Sequence, residues 1–531
     1  MADASCVATK GASKPVKRRR KPARCVTPKR RRRVVCKKRR RKPVARKPPA
    51  RRPPAPKPPA RPPVPRQPVP PAPVAPAPSV PTLNPPTPTH TGGFGLREAE
   101  RLLWRAGFGP SPGHAEALAA MGLQAAVASL TRPAGAPTLT GAPPSVDGLP
   151  LEPQDAWGHN HLWFLDRMVR SNQPLMERMT LIWHDWFATS TDGASAAHLL
   201  QQNELFRRNA LGSFETMAME VTADPAMLLW LNLVDNTRWS PNENYARELM
   251  ELFTLGADRG AYSEDDVREL ARSLTGWRRD WSAELGAHNF RYDAGRHDAN
   301  AKTVFGQTGN FGWQDGVRMC LQNAKHASFF VEKLWGYFIP TPPSAADRQA
   351  LEQAYLSSGR QIRPVVEAIL MHPQLYAGAR MVKPPVVFLA GLLRNRQRAV
   401  DTDAWTWTSS ISGQQLFRPP SVAGWDDDRW LDTGTLRGRW MTVTVLMERH
   451  TINGEQIHAY DALETPDLAV RRALDYWGDP AMTAEGLAAL TTFAATCLPV
   501  VMANWEQSYL RGLRQNALRH LLATSPDLQT S

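Results

Sequence analysis

The distribution of charge along the chain constrains its fold more than any other feature of the sequence. Residues 1–66 hold 26 of the 66 Lys and Arg residues but only one of the 49 acidic residues, Asp3. Residues 67–531 are left with 40 basic and 48 acidic side chains, so the first segment is near +25 and the remainder near −8. A segment of such charge density with few apolar residues cannot build a core, so the folded part must form without it.

By composition, residues 1–92 divide into two parts. Residues 1–47 contain Lys/Arg blocks that repel one another and bury too little apolar surface to offset chain entropy, which predicts a disordered arm. Residues 48–92 are rich in Pro, Ala and Val. Because proline fixes φ and lacks an amide donor, an extended polyproline-II linker is predicted there. Residues 93–531, the helical body, are then predicted to be one domain.

The arm predicts one class of partner. Clustered cations on a flexible tether bind nucleic acid or another anionic polymer without sequence preference, and such binding weakens steeply with salt. The alternative is a solvated tail with no dedicated partner. The residues assigned to polyanion binding are Arg18, Arg19, Arg20, Arg30, Arg31, Arg32, Arg33, Lys37, Lys38, Arg39, Arg40 and Arg41.

The sequence also bears on the compartment. In the chain as written, no apolar run of about 7–15 residues follows the basic start, and no stretch approaches the ~20 apolar residues of a membrane span. The five cysteines fit neither a zinc site nor a disulfide framework, which suits a reducing compartment. These features predict a cytoplasmic protein without a transmembrane segment.

Periodicity in the helical body predicts the fold class. Apolar residues recur mostly with the 3.6-residue period, beginning with residues 96–106 before Gly107, and strict alternation is scarce. The prediction is a mainly α, large multi-helix domain. Residues 278–313 differ, being rich in Gly, Asp, Asn and aromatics, and are predicted to form a long irregular or short-hairpin insertion.

The densest polar segment, residues 240–256, has the pattern of an amphipathic helix that ends at a glycine. Glu243 can pair with Arg247 one turn later. Glu248 and Glu251 are spaced to lie on neighbouring turns. A carboxylate pair facing a cleft would supply metal ligands or general bases, and the alternative, which spacing alone favours, is a solvated acidic face.

A second candidate is His184 with Asp185, which lie among aromatic residues at a predicted helix end. A His beside a carboxylate can form a metal site or a general base with its orienting acid. The alternative is a core His satisfied by one hydrogen bond.

A third candidate lies in the irregular region, where His297, Asp298 and Lys302 occur within six residues. Loops held by a rigid scaffold often carry function. The alternative is an ordered loop whose polar side chains satisfy its own backbone.

Taken in order, these segments resemble a bacterial family known as domain of unknown function 1800, over about residues 95–450. The resemblance implies a helical domain in which the polar motifs converge, and it brings no established activity or cofactor. Relatives usually have Asn-His-Phe where this chain has Asp185, Trp186 and Phe187. If that His is a ligand in relatives, Trp186 cannot replace it. The motif residues that carry the resemblance include Asn242, Glu243, Asn244, Arg247, Glu251, Gly256, Trp277, Lys383, Gln414 and Trp425.

Two functional hypotheses follow. In one, the body is a metal-dependent hydrolase-like enzyme, because carboxylates and imidazoles can bind a divalent cation that lowers the pKa of bound water. In the other, the polar motifs only hold the helices together and the arm provides the function. For the enzyme, the candidate catalytic residues are His184, Asp185, Glu248, His297, Asp298 and Lys302, and the candidate metal ligands are His184, Glu248 and His297.

Overall fold

The computed structural model describes residues 80–453 and 463–531. Within these ranges the chain forms 22 α-helices and three small antiparallel strand pairs, which confirms the mainly α prediction. The predicted arm with all its polyanion-binding residues, and residues 48–79 of the predicted linker, lie outside the described residues. None of the helices in the described ranges combines the length and apolarity needed to cross a bilayer.

Helices make up most of the ordered chain, and the strands are short. The α-helices are α1 Leu96–Ala106, α2 His114–Met121, α3 Leu123–Thr131, α4 His159–Arg170, α5 Pro174–Trp186, α6 Ala196–Arg208, α7 Phe214–Thr222, α8 Pro225–Trp230, α9 Asn244–Glu248, α10 Glu264–Ser273, α11 Trp313–Gln322, α12 His326–Gly336, α13 Ala345–Ser357, α14 Ile362–Met371, α15 Pro373–Ala377, α16 Pro385–Asn395, α17 Ala404–Ile411, α18 Thr433–Met447, α19 Pro466–Tyr476, α20 Ala484–Thr496, α21 Asn504–Thr524 and α22 Pro526–Gln529. The strands are β1 Ser145–Val146, β2 Leu149–Pro150, β3 Trp277–Ser282, β4 Gly286–Tyr292, β5 Lys302–Val304 and β6 Gln307–Gly309. Single turns of 3-10 helix occur at Leu233–Asp235, Ala294–Arg296, Asp427–Arg429 and Glu448–His450.

The irregular region predicted at 278–313 forms two hairpins. Strand β3 pairs with β4 in antiparallel register, with Trp277 opposite Tyr292, and β5 pairs with β6. The region is therefore ordered, and it follows directly on α10, whose first turn is fixed by reciprocal bonds between Ser263 and Asp266.

The buried apolar side chains form two clusters. One contains residues of α1–α3, α7 and α10–α15, and the other contains residues of α4 and α16–α22. Helix α5 contributes to both, because Trp183 and Trp186 belong to the first cluster and Leu181 to the second. The C-terminal end of α5 therefore lies between the two clusters.

The last part of the predicted linker, residues 80–92, packs on the helical body. Leu83 is only 4% exposed, and its carbonyl accepts a hydrogen bond from the Gln124 side chain at 2.6 Å. The His90 N–H donates to the Met371 carbonyl at 2.8 Å. Order thus begins earlier than the sequence predicts, because Leu83 and the backbone of His90 both contact the helical body.

Candidate functional site

The predicted helix over residues 240–256 changes its winding after α9. Its continuation, Leu249–Thr254, is π-helical, and the Leu255 N–H donates to the Met250 carbonyl five residues back, at 2.8 Å. A wider turn at a helix end leaves carbonyl oxygens without intrahelical donors. The ordinary α-helix expected from the sequence is therefore corrected over this turn.

Side chains from other elements satisfy three successive carbonyls of this π-helical segment. The contacts are Lys333 Nζ to Leu252 O (3.0 Å), Trp186 Nε1 to Phe253 O (3.0 Å) and His326 Nδ1 to Thr254 O (2.9 Å). Trp186 thus acts as a donor to the backbone. The Trp186 bond joins the π-helical segment to the end of α5, and the other two bonds join it to α12.

Asp185, at the end of α5, is bonded to two parts of the chain that are distant in sequence. Its carboxylate accepts a hydrogen bond from the Tyr337 hydroxyl at 2.6 Å and from the Trp425 N–H at 2.9 Å. Gly424 has a φ of +94°, and a Cβ there would lie 2.2 Å from Asp185 Oδ1. Glycine therefore allows the loop before Trp425 to approach the carboxylate closely.

Several titratable groups lie around this carboxylate. Burial raises the pKa of Asp185, while the bonds from Tyr337 and Trp425 and the charges of Lys333 and Arg178 lower it. Burial also lowers the pKa of Lys333 to about 8, and Asp185 opposes that change. The Lys333 ammonium lies 4.4 Å from the centre of the Trp186 ring, which adds a cation–π contact.

Asp427 completes the group, which we call the Asp185 cluster: Arg178, Asp185, Lys333, Tyr337 and Asp427. Part of Asp427 is exposed. Loss of solvation around its carboxyl group, followed by the charge of Asp185, raises its pKa to about 7. An amine and an acid with pKa values near neutrality beside a bonded carboxylate are suited to general acid–base chemistry.

His184, beside Asp185, has a different environment. It is 1% exposed, and its Nε2 accepts a hydrogen bond from the Phe417 N–H at 2.9 Å. Its ring packs against those of Phe417 and Trp425 at 4.9 and 5.3 Å, and burial lowers its pKa to about 3. This geometry matches the core-histidine alternative, with Nε2 already engaged.

His297, Asp298 and Lys302 also bond to their surroundings. The contacts are Asp298 Oδ2 to Arg272 Nε (2.7 Å), Lys302 Nζ to Phe311 O (2.9 Å) and His297 Nδ1 to Thr275 O (3.0 Å). Lys302 also donates to the Asp298 carbonyl. Lys302 thus bonds to the backbone of its own region, as in the ordered-loop alternative, whereas Asp298 and His297 bond to residues that precede the region.

The acidic residues of the segment 240–256 make contacts of their own. Glu243 pairs with Arg247 at 3.2 Å, as predicted, and Arg247 also pairs with Glu264 at 2.8 Å. Glu248 is half-buried, and burial followed by the charge of Glu251 raises its pKa. A catalytic role for Glu248 stays a prediction.

The predicted metal-ligand set is not assembled. In residues 80–453 and 463–531, no group of three or more His, Cys, Asp and Glu side chains is arranged to hold a metal ion. His184 is enclosed by aromatic rings with its Nε2 engaged, and His297 bonds to the backbone of Thr275. His184, Glu248 and His297 therefore have separate environments.

The remaining motif residues fix the local structure. Gln414 Oε1 accepts the Val386 N–H at 3.1 Å and thereby satisfies the first turn of α16. Further placements are Asn242 Oδ1 to the Asn244 N–H (2.9 Å), Asn244 Nδ2 to Asn232 Oδ1 (3.1 Å), Gly256 at φ +86° after the π-helical segment, and Trp277 at 5% exposure.

Lys383 lies beside a separate cavity of about 240 Å³, which Glu100, Trp104, Arg380 and Asp527 also line. The Lys383 ammonium lies 3.7 Å from the centre of the Trp104 ring and donates to a main-chain carbonyl at 2.6 Å. Arg380 pairs with Asp527 at 2.9 Å. Both cations therefore already have partners.

Sequence reasoning missed Arg178, Lys333, Tyr337 and Asp427. Two signals pointed to some of them: Arg178 lies in an otherwise mostly apolar helix, seven residues before Asp185, and Lys333 and Tyr337 are four residues apart in another apolar segment. Asp427 gives no such signal.

Comparison with other proteins adds the family. Neither a search of curated proteins nor one of solved structures found a match to this chain. A family model matches residues 101–530, which extends the resemblance seen at 95–450 through the C-terminal helices α19–α22. With most of its length matched, the chain belongs to the family described as "Protein of unknown function (DUF1800)".

Proposed function

We propose that the arm binds nucleic acid or another anionic polymer and that the helical body carries it. The observation that supports this function is the charge segregation: near +25 in residues 1–66 and near −8 in the rest. The net negative charge of the body opposes polyanion binding, whereas the charge of the arm favours it. The anchored segment at Leu83 gives the chain that precedes it a fixed attachment point.

The test compares the full-length protein with a deletion of residues 1–79, which leaves the packed segment intact. Fluorescence anisotropy measures binding to a short DNA duplex, a single-stranded RNA and heparin at 50 and 200 mM salt. If the arm neutralises about 6–10 phosphates, affinity falls by roughly 10³–10⁵ between these conditions. The deletion should bind none of the three.

A variant with residues 1–79 in scrambled order is the matched control, because it keeps composition and charge. It should bind as the full-length protein does, since the attraction carries no sequence information. Binding that survives the deletion unchanged would remove the arm from the proposal.

A second candidate function is acid–base chemistry at the Asp185 cluster, which we propose in place of the metal-dependent hydrolase. The observation that favours it is the Lys333 amine, whose pKa is lowered to about 8 and which interacts electrostatically with Asp185, the acceptor of the Tyr337 hydroxyl. An amine with such a pKa is partly neutral near pH 7.5 and can accept a proton or attack a carbonyl. Asp427, with a pKa raised to about 7, can return a proton.

Acetic anhydride tests this reactivity, because a neutral amine attacks it to form an amide and releases acetate and a proton. Mass spectrometry then gives the labelling rate at Lys333 from pH 6.5 to 9, with exposed Lys325 on the same part of the chain as the internal control. Lys333 should react more than tenfold faster than Lys325 at pH 7. Asp185→Asn should shift its profile to lower pH, because Asp185 favours the ammonium form. Slower labelling at Lys333 than at Lys325 across this range would refute the proposal.

A further inference from the structure

The buried arginines provide an internal comparison. Within the described residues they are Arg105, Arg178, Arg394, Arg439 and Arg514. Four of them donate hydrogen bonds: Arg105 and Arg394 to main-chain carbonyls, Arg439 to carbonyls and Gln529, and Arg514 to carbonyls and Glu464. Arg178 alone forms no hydrogen bond or ion pair with any residue that the structure describes.

The surroundings of Arg178 show where its charge acts. The side chain is 3% exposed, and its Nε is fully enclosed without a partner. Asp185 follows two helical turns later on α5, so the two side chains share a face. The charges of Asp427 and Asp185 act on the guanidinium, yet among the described residues neither carboxylate lies within ion-pair distance of it.

The guanidinium stays charged under physiological conditions. Burial lowers the pKa of Arg178 only to about 10. Arginine is almost never fully buried unless it is paired, because an uncompensated buried charge destabilises the fold. Asp185 accepts hydrogen bonds from Tyr337 and Trp425 and forms none with Arg178, so it does not supply the missing partner.

We propose that Arg178 binds an oxyanion, a carboxylate or phosphoryl group of a ligand that occupies the Asp185 cluster. The planar guanidinium presents two parallel N–H donors that match the oxygens of either group. The Lys333 ammonium adds a second positive charge to the same cluster. The inference rests on the acid–base proposal for what the ligand does there, whereas binding is measured separately from the labelling of Lys333.

The experiment uses the full-length protein and two probes, inorganic phosphate and acetate, each titrated against chloride at constant ionic strength. The melting temperature reports binding, because a ligand that binds only the folded state stabilises it. Arg178→Met removes the guanidinium, and Arg178→Lys keeps a positive charge without the planar fork. Arg418→Met, which removes one positive charge at a half-exposed position, is the matched control.

We expect a saturable rise in melting temperature with at least one probe in the wild type and in Arg418→Met. Arg178→Met should lose this rise, and Arg178→Lys should weaken the apparent affinity at least tenfold. A response to phosphate alone identifies a phosphoryl ligand, and a response to acetate alone identifies a carboxylate. In chloride, Arg178→Met should melt at the wild-type temperature or above, because an unpaired charge has been removed.

Three results would overturn the proposal: no response to either probe in the wild type, the same response in Arg178→Met, or a lower melting temperature of Arg178→Met in chloride with the response kept. The last result would mean that Arg178 is a structural group hydrated by water. If Arg178→Met does not fold, an unchanged affinity in Arg178→Lys overturns the proposal equally.

Discussion

Lys333→Met tests whether the electrostatics of the Asp185 cluster are as the structure describes. The Lys333 amine donates to the Leu252 carbonyl at 3.0 Å and lies 4.4 Å from the centre of the Trp186 ring. Methionine has a similar length and fills the same space, but it removes the charge and the donor. The hydrogen bond to Leu252 can form with the ammonium and with the neutral amine, whereas the cation–π contact belongs to the ammonium alone. A change of the stability difference with pH therefore reports the charge of Lys333.

The magnitude follows from the pKa of this amine, which burial lowers from 10.5 to about 8. At about 1.4 kcal/mol per pKa unit, the folded state disfavours the ammonium by roughly 3 kcal/mol. Below pH 8 both states of the wild type carry the proton, so this cost is fully present. Between pH 8 and 10.5 the unfolded state binds more protons than the folded state, so wild-type stability rises with pH. Because the side chain keeps partial solvent contact, we expect about 2–3 kcal/mol of the change to be measurable.

Equilibrium urea unfolding of the wild type and Lys333→Met at pH 7, 8, 9, 10 and 10.5 gives the difference in unfolding free energy at each pH. This difference should shift in favour of the wild type by about 2–3 kcal/mol from pH 7 to 10.5. Lys325→Met, at an exposed position just before α12, is the control and should differ from the wild type by a constant amount. A constant difference for Lys333→Met as well would refute the reasoning, because it would mean that the amine titrates alike in both states.

Three further changes test the packing around the cluster and at the start of the ordered chain. Gly424→Ala places a Cβ 2.2 Å from Asp185 Oδ1 at a φ of +94°. It should lower the free energy of unfolding in urea by about 2–4 kcal/mol. A variant as stable as the wild type would contradict this close approach. Trp186→Ala should lower the free energy of unfolding by about 3–5 kcal/mol because it leaves a cavity. Trp186→Phe should lower it by about 1–2 kcal/mol because the hydrogen bond to the Phe253 carbonyl is lost. A Trp186→Phe variant as stable as the wild type would show that the indole N–H contributes nothing. Leu83→Asp should make residues 80–92 a faster target for limited proteolysis, and Val80→Asp, at a position 48% exposed, should not; equal cleavage would show that Leu83 is no anchor.

Local features of the sequence predicted much of the fold. The pairing of Glu243 with Arg247 and the hairpins after α10 involve residues close in the chain, so short-range rules suffice. The π-helical turn could not be predicted, because its carbonyls are satisfied from α5 and α12 rather than within the helix. The assignment of His184 depended in the same way on a partner far along the chain, Phe417.

By itself, the sequence determined the charge segregation, the mainly α class and the family, because composition, periodicity and ordered motifs are properties of the chain read in one direction. Only the tertiary structure decided which polar groups meet. Tyr337 bonds to Asp185 across 152 residues, and Arg178 differs from the other buried arginines only in what surrounds it. The pKa of a side chain and the number of its partners depend on burial and on distant neighbours, and neither is encoded by its own position in the sequence.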